Sequence, residues 1–297
     1  MKDYGKMWGC GLILERPIDS LDKRILILGR NSWLGARFFE NIICKRSFHS
    51  DIDVLHLAAL RSQFREFDPD VVINCVGKTG RPNIDWCENN KAETLLSNTI
   101  APALIAEVCK EYNAKMIHIS SGCIYGLHSD IGYKESSPPS PNSFYGETKV
   151  MAERLIERMW TNVLILRIRM PIDIYPHERN LITKLSKYDK VVQAQNSVTI
   201  VPDLIEATKA LIKADATGIY HVTNPGFLYH DEILTLYKAM VDPQKKWELI
   251  NQLELKNLCK TGRSNCLLNT DKLSQVIKLP GVKERMIEIL EQYAKQS

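Results

Sequence analysis

Apolar residues along this chain gather in short continuous runs instead of alternating with polar ones. Arg24-Ile25-Leu26-Ile27-Leu28, Asp70–Gly77, Ala114–Ser121 and Val163–Ile168 each read as a strand buried on both faces. Between them lie segments of helical spacing, Trp33–Ile43, Glu93–Tyr112 and Ser143–Met159. Strands alternating with helices predict an α/β fold, a Rossmann-type doubly wound parallel sheet. Its second strand is expected within Ser47–Leu57, where no clean run stands out. After Pro171 the texture changes to short strands (Val198–Val201, Ile219–Val222) and helices (Leu204–Ala214, His230–Met240, Val282–Ala294). That half reads mainly as a smaller C-terminal lobe, with some segments returning to the first sheet.

Composition narrows the picture. The chain has 297 residues, of which 44% are hydrophobic and 25% charged, enough to bury a large core. A formal charge of +4, with the basic residues scattered, argues against a nucleic-acid surface and suits an anionic small molecule. The eight cysteines include no C-x-x-C pair, so neither a metal site nor a redox motif is expected, and reduced intracellular thiols are the simplest account. Cys10–Leu14 is too short for a signal segment or a membrane span. The expectation is a cytoplasmic protein without a membrane partner. Residues 1–22 read as an N-terminal extension.

Three constellations carry chemistry. In Gly29-Arg30-Asn31-Ser32-Trp33-Leu34-Gly35, a glycine turn runs from a strand into a helix N-terminus, which aims free N–H groups and the positive dipole end at a pyrophosphate. Gly29 makes the turn and Gly35 lets strand and helix pack closely. Ser32 stands where a glycine is expected, and its hydroxyl can donate to a phosphate oxygen. Arg30 can meet a 2′-phosphate, and no acidic residue clearly ends the second strand. Both points favour NADP(H) over NAD(H). Residues 1–170 are therefore the expected cofactor domain and 171–297 the substrate lobe.

The second constellation is Tyr145-Gly146-Glu147-Thr148-Lys149, whose i, i+4 spacing puts the phenol and the ammonium on one helix face. An ammonium beside a phenol lowers its pKa, which readies Tyr145 to protonate a carbonyl oxygen as hydride arrives, while Lys149 holds the nicotinamide ribose. The alternative is a solvated pair. The third is Ser120-Ser121-Gly122-Cys123 at a strand's end, where Ser121 can polarise the same carbonyl. Cys123 is either a base for a proton α to that carbonyl or a packed thiol.

Together these residues resemble the extended short-chain dehydrogenase/reductase superfamily. Asn74–Glu88, Arg169-Met170-Pro171-Ile172, Arg179–Lys184, Thr223-Asn224-Pro225-Gly226 and Arg263-Ser264-Asn265 narrow the resemblance to the bifunctional UDP-4-keto-6-deoxy-glucose 3,5-epimerase/4-reductases, from about Arg24 to the C-terminus. These enzymes are similar to dTDP-4-dehydrorhamnose reductase. The resemblance implies NADPH-dependent conversion of a UDP-sugar to UDP-L-rhamnose, with Tyr145, Lys149, Ser121, Cys123 and Lys184 catalytic. GDP-fucose synthase also resembles this chain at Ser121 and Cys123. The opposite-face acid/base is left between Lys184, Asn180 and His177. Besides the glycine turn, Cys75, Val76, Gly77 and Arg169 are expected at the cofactor. Thr79, Arg81, Asn83, Asn180 and Arg263 are expected at the substrate; for Arg263 a surface arginine is the alternative. A homodimer is expected by analogy. The rivals are an enzyme that only reduces already epimerised sugar and a catalytically silent NADP-binding subunit.

Overall fold

The computed structural model describes residues 21–42, 44–126 and 131–296. The first half contains β1 (Leu21–Leu28), α1 (Trp33–Asn41), β2 (Cys44–Ser50), α2 (Leu57–Phe67) and β3 (Val71–Asn74). It continues through α3 (Asp85–Asn89), α4 (Lys91–Leu95), α5 (Ala101–Glu111), β4 (Lys115–Ser121), α6 (Phe144–Met159) and β5 (Val163–Ile168). The second half contains α7 (Leu181–Leu185), β6 (Lys190–Val192), α8 (Val201–Lys213), β7 (Gly218–His221), α9 (His230–Met240) and β8 (Glu248–Ile250). The last elements are α10 (Gln252–Leu258), α11 (Asp271–Ser274) and α12 (Val282–Ala294).

Six strands form a parallel sheet in the order β2-β1-β3-β4-β5-β7. Successive side chains of a strand point to opposite faces, and each face has its own core. Ile25 and Ile27 pack with α1 and α8, whereas Leu26 and Leu28 pack with residues of α2, α5 and α6. That two-sided burial is why these strands read as unbroken apolar runs. β7 returns from the C-terminal half to pair with β5. The remaining lobe packs α7, α9 and α12 around Ile172, Ile200 and Leu228, and carries the two-stranded parallel sheet β6-β8.

The structure departs from the pattern in four places. The second strand lies at Cys44–Ser50, earlier than expected; it is an edge strand with exposed Lys45 and Arg46, so it needs no continuous apolar run. The expected helix Glu93–Tyr112 is split by a π-turn at Leu96–Ile100. Pro102 offers no N–H to the Asn98 carbonyl and its ring crowds that oxygen, which a wider turn relieves. Val198–Val201 is not a strand: Ile200 makes one bridge to Ile172, and Val201 already opens α8, where Pro202 suits a first helical turn. Finally, Leu21 and Asp22 belong to β1, while residues 1–20 of the expected extension lie outside the described residues.

Candidate active site

The C-terminal ends of β1, β3 and β4 open onto a cavity of 560 Å³ that reaches into the lobe as far as Tyr188 and His230. At β1 the chain turns at Gly29, whose φ is +81° and where a Cβ would lie 2.9 Å from the Cys75 backbone. At Gly35 a Cβ would meet the Gly29 carbonyl oxygen at 2.2 Å, so only glycine lets helix and turn close up. Ser32 caps α1 by accepting from the Gly35 N–H at 3.1 Å. Its own O–H and the first-turn amides of Trp33 and Leu34 are left for an anion. Asn31, Ser32, Trp33 and Leu34 line the cavity, as do Cys75, Val76 and Gly77. Arg30 is exposed, with its N–H 3.4 Å from the Ser50 carbonyl at the end of β2. Relocating β2 also places an acid beside that strand's end, since Asp51 follows Ser50 directly.

Ser143 caps α6 through the Gly146 N–H at 3.1 Å, and the first two turns of the helix carry Tyr145 and Lys149 inward. Lys149 Nζ donates to the Ile119 carbonyl at 2.8 Å and lies 3.2 Å from His118 Nε2. Tyr145, Ser121 and Cys123 line the cavity together, and Ser121 Oγ accepts from the Cys123 N–H at 3.1 Å. Burial pushes the Tyr145 phenol up, negative charge on Cys123 adds to that, and the Ser121 hydroxyl opposes it. This corrects the expectation of a phenol acidified by Lys149: Tyr145 is held protonated, the state a proton donor needs. Burial lowers Lys149 to about 8, against the opposing charges of Glu153 and Cys75.

The helix is anchored from behind. Glu153 accepts from Arg167 at 2.7 and 3.1 Å and from the Ser120 hydroxyl, with both charged side chains buried. A buried pair of this kind fixes geometry more than it stabilises, yet removing one partner costs about 3–5 kcal/mol.

Cys123 Sγ accepts from Arg169 Nη1 at 3.2 Å, and Arg169 Nη2 donates to Asn196 Oδ1 at 2.6 Å and to the Ser264 carbonyl. Arg169, expected at the cofactor, thus sits behind the thiol. Lys184, on α7, lines the same cavity; burial and Arg179 lower its pKa, while charge on Cys123 raises it. Asn180 does not reach the cavity. It is fully buried and caps α7, accepting from the Ile182 N–H at 3.1 Å and donating to the Asp173 and Tyr175 carbonyls at 2.7 and 2.9 Å. Its polar atoms are spent on the loop, so the substrate role expected for it is corrected to a structural one. His177 stacks on Trp33 with ring centroids 5.2 Å apart, and burial lowers its pKa.

The expected substrate arginines are engaged within the protein. Both Nη atoms of Arg263 lie 2.8 Å from Asp85, and Nη2 is 3.3 Å from Asn83 Oδ1. Its charge is therefore balanced already, which weakens its assignment as a diphosphate clamp. Arg81 is exposed and pairs with Glu178 at 2.8 Å. Thr79 accepts from Arg179 Nη1 at 2.6 Å. Sequence reasoning missed Arg179, which straps the Thr79–Gly80 segment to the lobe across a hundred positions. It also missed the cavity-lining Tyr188 and His230, the latter lowered to about 4 by burial. No local motif marks Tyr188 or His230, and Arg179 opens the Arg179–Lys184 stretch without a signal of its own for this role.

A glycine turn on a doubly wound parallel sheet opens onto the buried side chains of Ser121, Tyr145 and Lys149, the architecture of a Rossmann-type oxidoreductase. The chain belongs to the RmlD substrate binding domain family, whose model matches residues 23–293. It is 34% identical over 278 residues to a bifunctional dTDP-4-dehydrorhamnose 3,5-epimerase/dTDP-4-dehydrorhamnose reductase of Arabidopsis thaliana, covering 89% of this chain and 91% of that one. It is 36% identical over 282 residues to a trifunctional UDP-glucose 4,6-dehydratase/UDP-4-keto-6-deoxy-D-glucose 3,5-epimerase/UDP-4-keto-L-rhamnose-reductase of the same plant. That match covers 91% of this chain but only 42% of the relative's length. Among solved structures, the L780 UDP-rhamnose synthase of Acanthamoeba polyphaga mimivirus superposes with a TM-score of 0.84 at 28% identity, covering 91% of this chain and 99% of that one. Among the described residues no helix is long and apolar enough to cross a membrane.

Proposed function

We propose that this protein is an NADPH-dependent oxidoreductase that converts a UDP-4-keto-6-deoxy-D-glucose to UDP-L-rhamnose, by 3,5-epimerisation followed by reduction at C4. The observation that carries this reading is one cavity lined together by Tyr145, Ser121, Cys123, Lys149 and the glycine turn. The residues fit a dinucleotide: Gly29 and Gly35 leave the close approach a pyrophosphate needs, and Lys149, in the same cavity, is the group proposed to hold the nicotinamide ribose. When bound, NADPH supplies a hydride to C4. Tyr145 gives the C4 oxygen its proton, and its raised pKa keeps that proton in place until the oxygen becomes basic. Arg30, exposed just after β1 and beside the end of β2, is the group proposed for the 2′-phosphate.

In a 4-keto sugar the C3 and C5 protons are α to the ketone and acidic. Cys123 removes such a proton, Tyr145 and Ser121 hold the enolate oxygen, and Lys184 returns a proton on the other face. The depressed pKa of Lys184 suits a group that must give up a proton near neutrality. Cys123→Ala and Lys184→Met test this division. Both should reduce a 4-keto-L-rhamnose nucleotide and neither should turn over its unepimerised precursor. A Cys123→Ala protein that still makes the L-rhamno product from the precursor would sink the epimerase half and leave a reductase.

The assembly proposed is a homodimer through the faces of α4–α5 and α6. Leu96, Ile100, Met151 and Leu155 are 45, 36, 43 and 38% exposed there, and these elements pack side by side.

A further inference from the structure

Behind Lys149 lies a hydrogen-bond chain with one consistent direction. Asn74, at the end of β3, accepts from the Val76 backbone N–H through Oδ1 at 2.9 Å. A backbone amide can only donate, so the Asn74 amide cannot be turned over without setting two donors face to face. Its Nδ2 therefore points to His118 Nδ1, 3.0 Å away. Nδ1 must accept, which leaves the imidazole proton on Nε2. That proton faces Lys149 Nζ at 3.2 Å. An ammonium group has no lone pair to receive it, but an amine does. Asn74 and His118 are fully buried, so no solvent is at hand to relax the arrangement.

We propose that His118, oriented by Asn74, is a positioning residue that sets the protonation of Lys149 by presenting Nε2–H to its nitrogen. The proposal rests on the reading that Lys149 works in the reduction. It adds a second cause, a directed donor, to the burial that already lowers this lysine. The other groups acting on Lys149 are Glu153, one turn on along α6 and engaged by Arg167, and Cys75 at the end of β3. Burial and Lys149 both hold His118 well below the usual histidine range. The imidazole thus stays neutral while the lysine titrates. A lysine biased toward its amine gives up a proton more readily, so it is better matched to refill a phenol that has just lost one.

The test is nuclear magnetic resonance on the full-length protein without cofactor or substrate, so its outcome does not depend on the proposed reaction. With 15N-histidine, His118 should show the Nε2-protonated neutral tautomer from pH 6 to 9. With 13C-lysine, assigned through Lys149→Met, the Lys149 midpoint should lie well below that of surface lysines. Asn74→Asp keeps the shape and still accepts from Val76, but its carboxylate also accepts from Nδ1–H. The tautomer should switch, and the Lys149 midpoint should rise by about one pH unit or more. His118→Leu should raise the midpoint with no imidazole present, provided the variant folds; Asn74→Asp keeps the test alive if it does not. An Nδ1-protonated His118 in the parent protein, or a Lys149 midpoint unmoved by Asn74→Asp, overturns the proposal. Loss of turnover with these signatures intact would count against the proposed function and not against the role of His118.

Discussion

Replacing Lys149 with methionine should make the protein more stable while removing its catalysis. Lys149 is buried, and its pKa falls from 10.5 to about 8 on folding. A drop of that size means the folded state near neutrality carries a charged group disfavoured by about 3 kcal/mol. Methionine is close in length, is apolar and fills the same space. It gives up the hydrogen bond to the Ile119 carbonyl, worth about 1 kcal/mol. The net gain near pH 7 is then about 2 kcal/mol, or a melting temperature higher by about 5 °C. The sign with pH follows from where protons are held. Below pH 8 both folded and unfolded lysine are charged and the penalty is constant. Between 8 and 10.5 the unfolded chain holds the proton and the folded protein does not, so the parent gains stability as pH rises. Urea denaturation at pH 6.5, 8 and 10 reads this directly: the advantage of the variant should be largest at 6.5 and nearly gone at 10. An advantage that does not change with pH, or a variant less stable at pH 6.5, refutes the reasoning.

Other expectations follow from the same geometry. Tyr145→Phe should lower the rate of 4-keto reduction about 10²–10⁴-fold and leave NADPH binding, followed by fluorescence, within a factor of a few. Glu153→Gln should cost about 3–5 kcal/mol in denaturation because Arg167 keeps its charge without a partner, whereas Glu147→Gln, exposed on the same helix, should cost almost nothing. Gly35→Ala places a Cβ against the Gly29 carbonyl and should cost about 3 kcal/mol together with most of the affinity for NADPH. Leu96→Glu combined with Met151→Glu should shift the sedimentation of the protein from dimer to monomer.

Much of this architecture is legible before any coordinates. The central parts of β1, β3, β4 and β5 are buried on both faces, so each carries a continuous apolar run that stands out, although β1 begins earlier than that run and β3 ends before it. β2 is an edge strand whose Lys45 and Arg46 face solvent, and its signal is correspondingly faint. The π-turn at Leu96–Ile100 leaves the helical spacing almost unchanged and is hidden for that reason. Tyr145, Lys149, Ser121 and Cys123 sit in two short local patterns, so their proximity follows from the fold class alone. What the spacing does not encode is which distant side chains pair with one another. Arg263 meets Asp85 and Arg179 meets Thr79, each across a hundred or more positions. Asn180 lies between residues that line the cavity, Arg179 and Lys184, yet its amide turns back onto its own loop. The raised pKa of Tyr145 also follows from three-dimensional burial, which the i, i+4 spacing does not encode.

The central claim is one site that both exchanges the α protons of a 4-keto sugar and reduces it. Incubating the protein with UDP-4-keto-6-deoxy-D-glucose and NADPH in deuterium oxide tests it most directly, with the product read by nuclear magnetic resonance. The account predicts a UDP-L-rhamnose carrying deuterium at C3 and C5, with one NADPH consumed per product. A reduced sugar that retains its original protons at C3 and C5, or no consumption of NADPH, contradicts it.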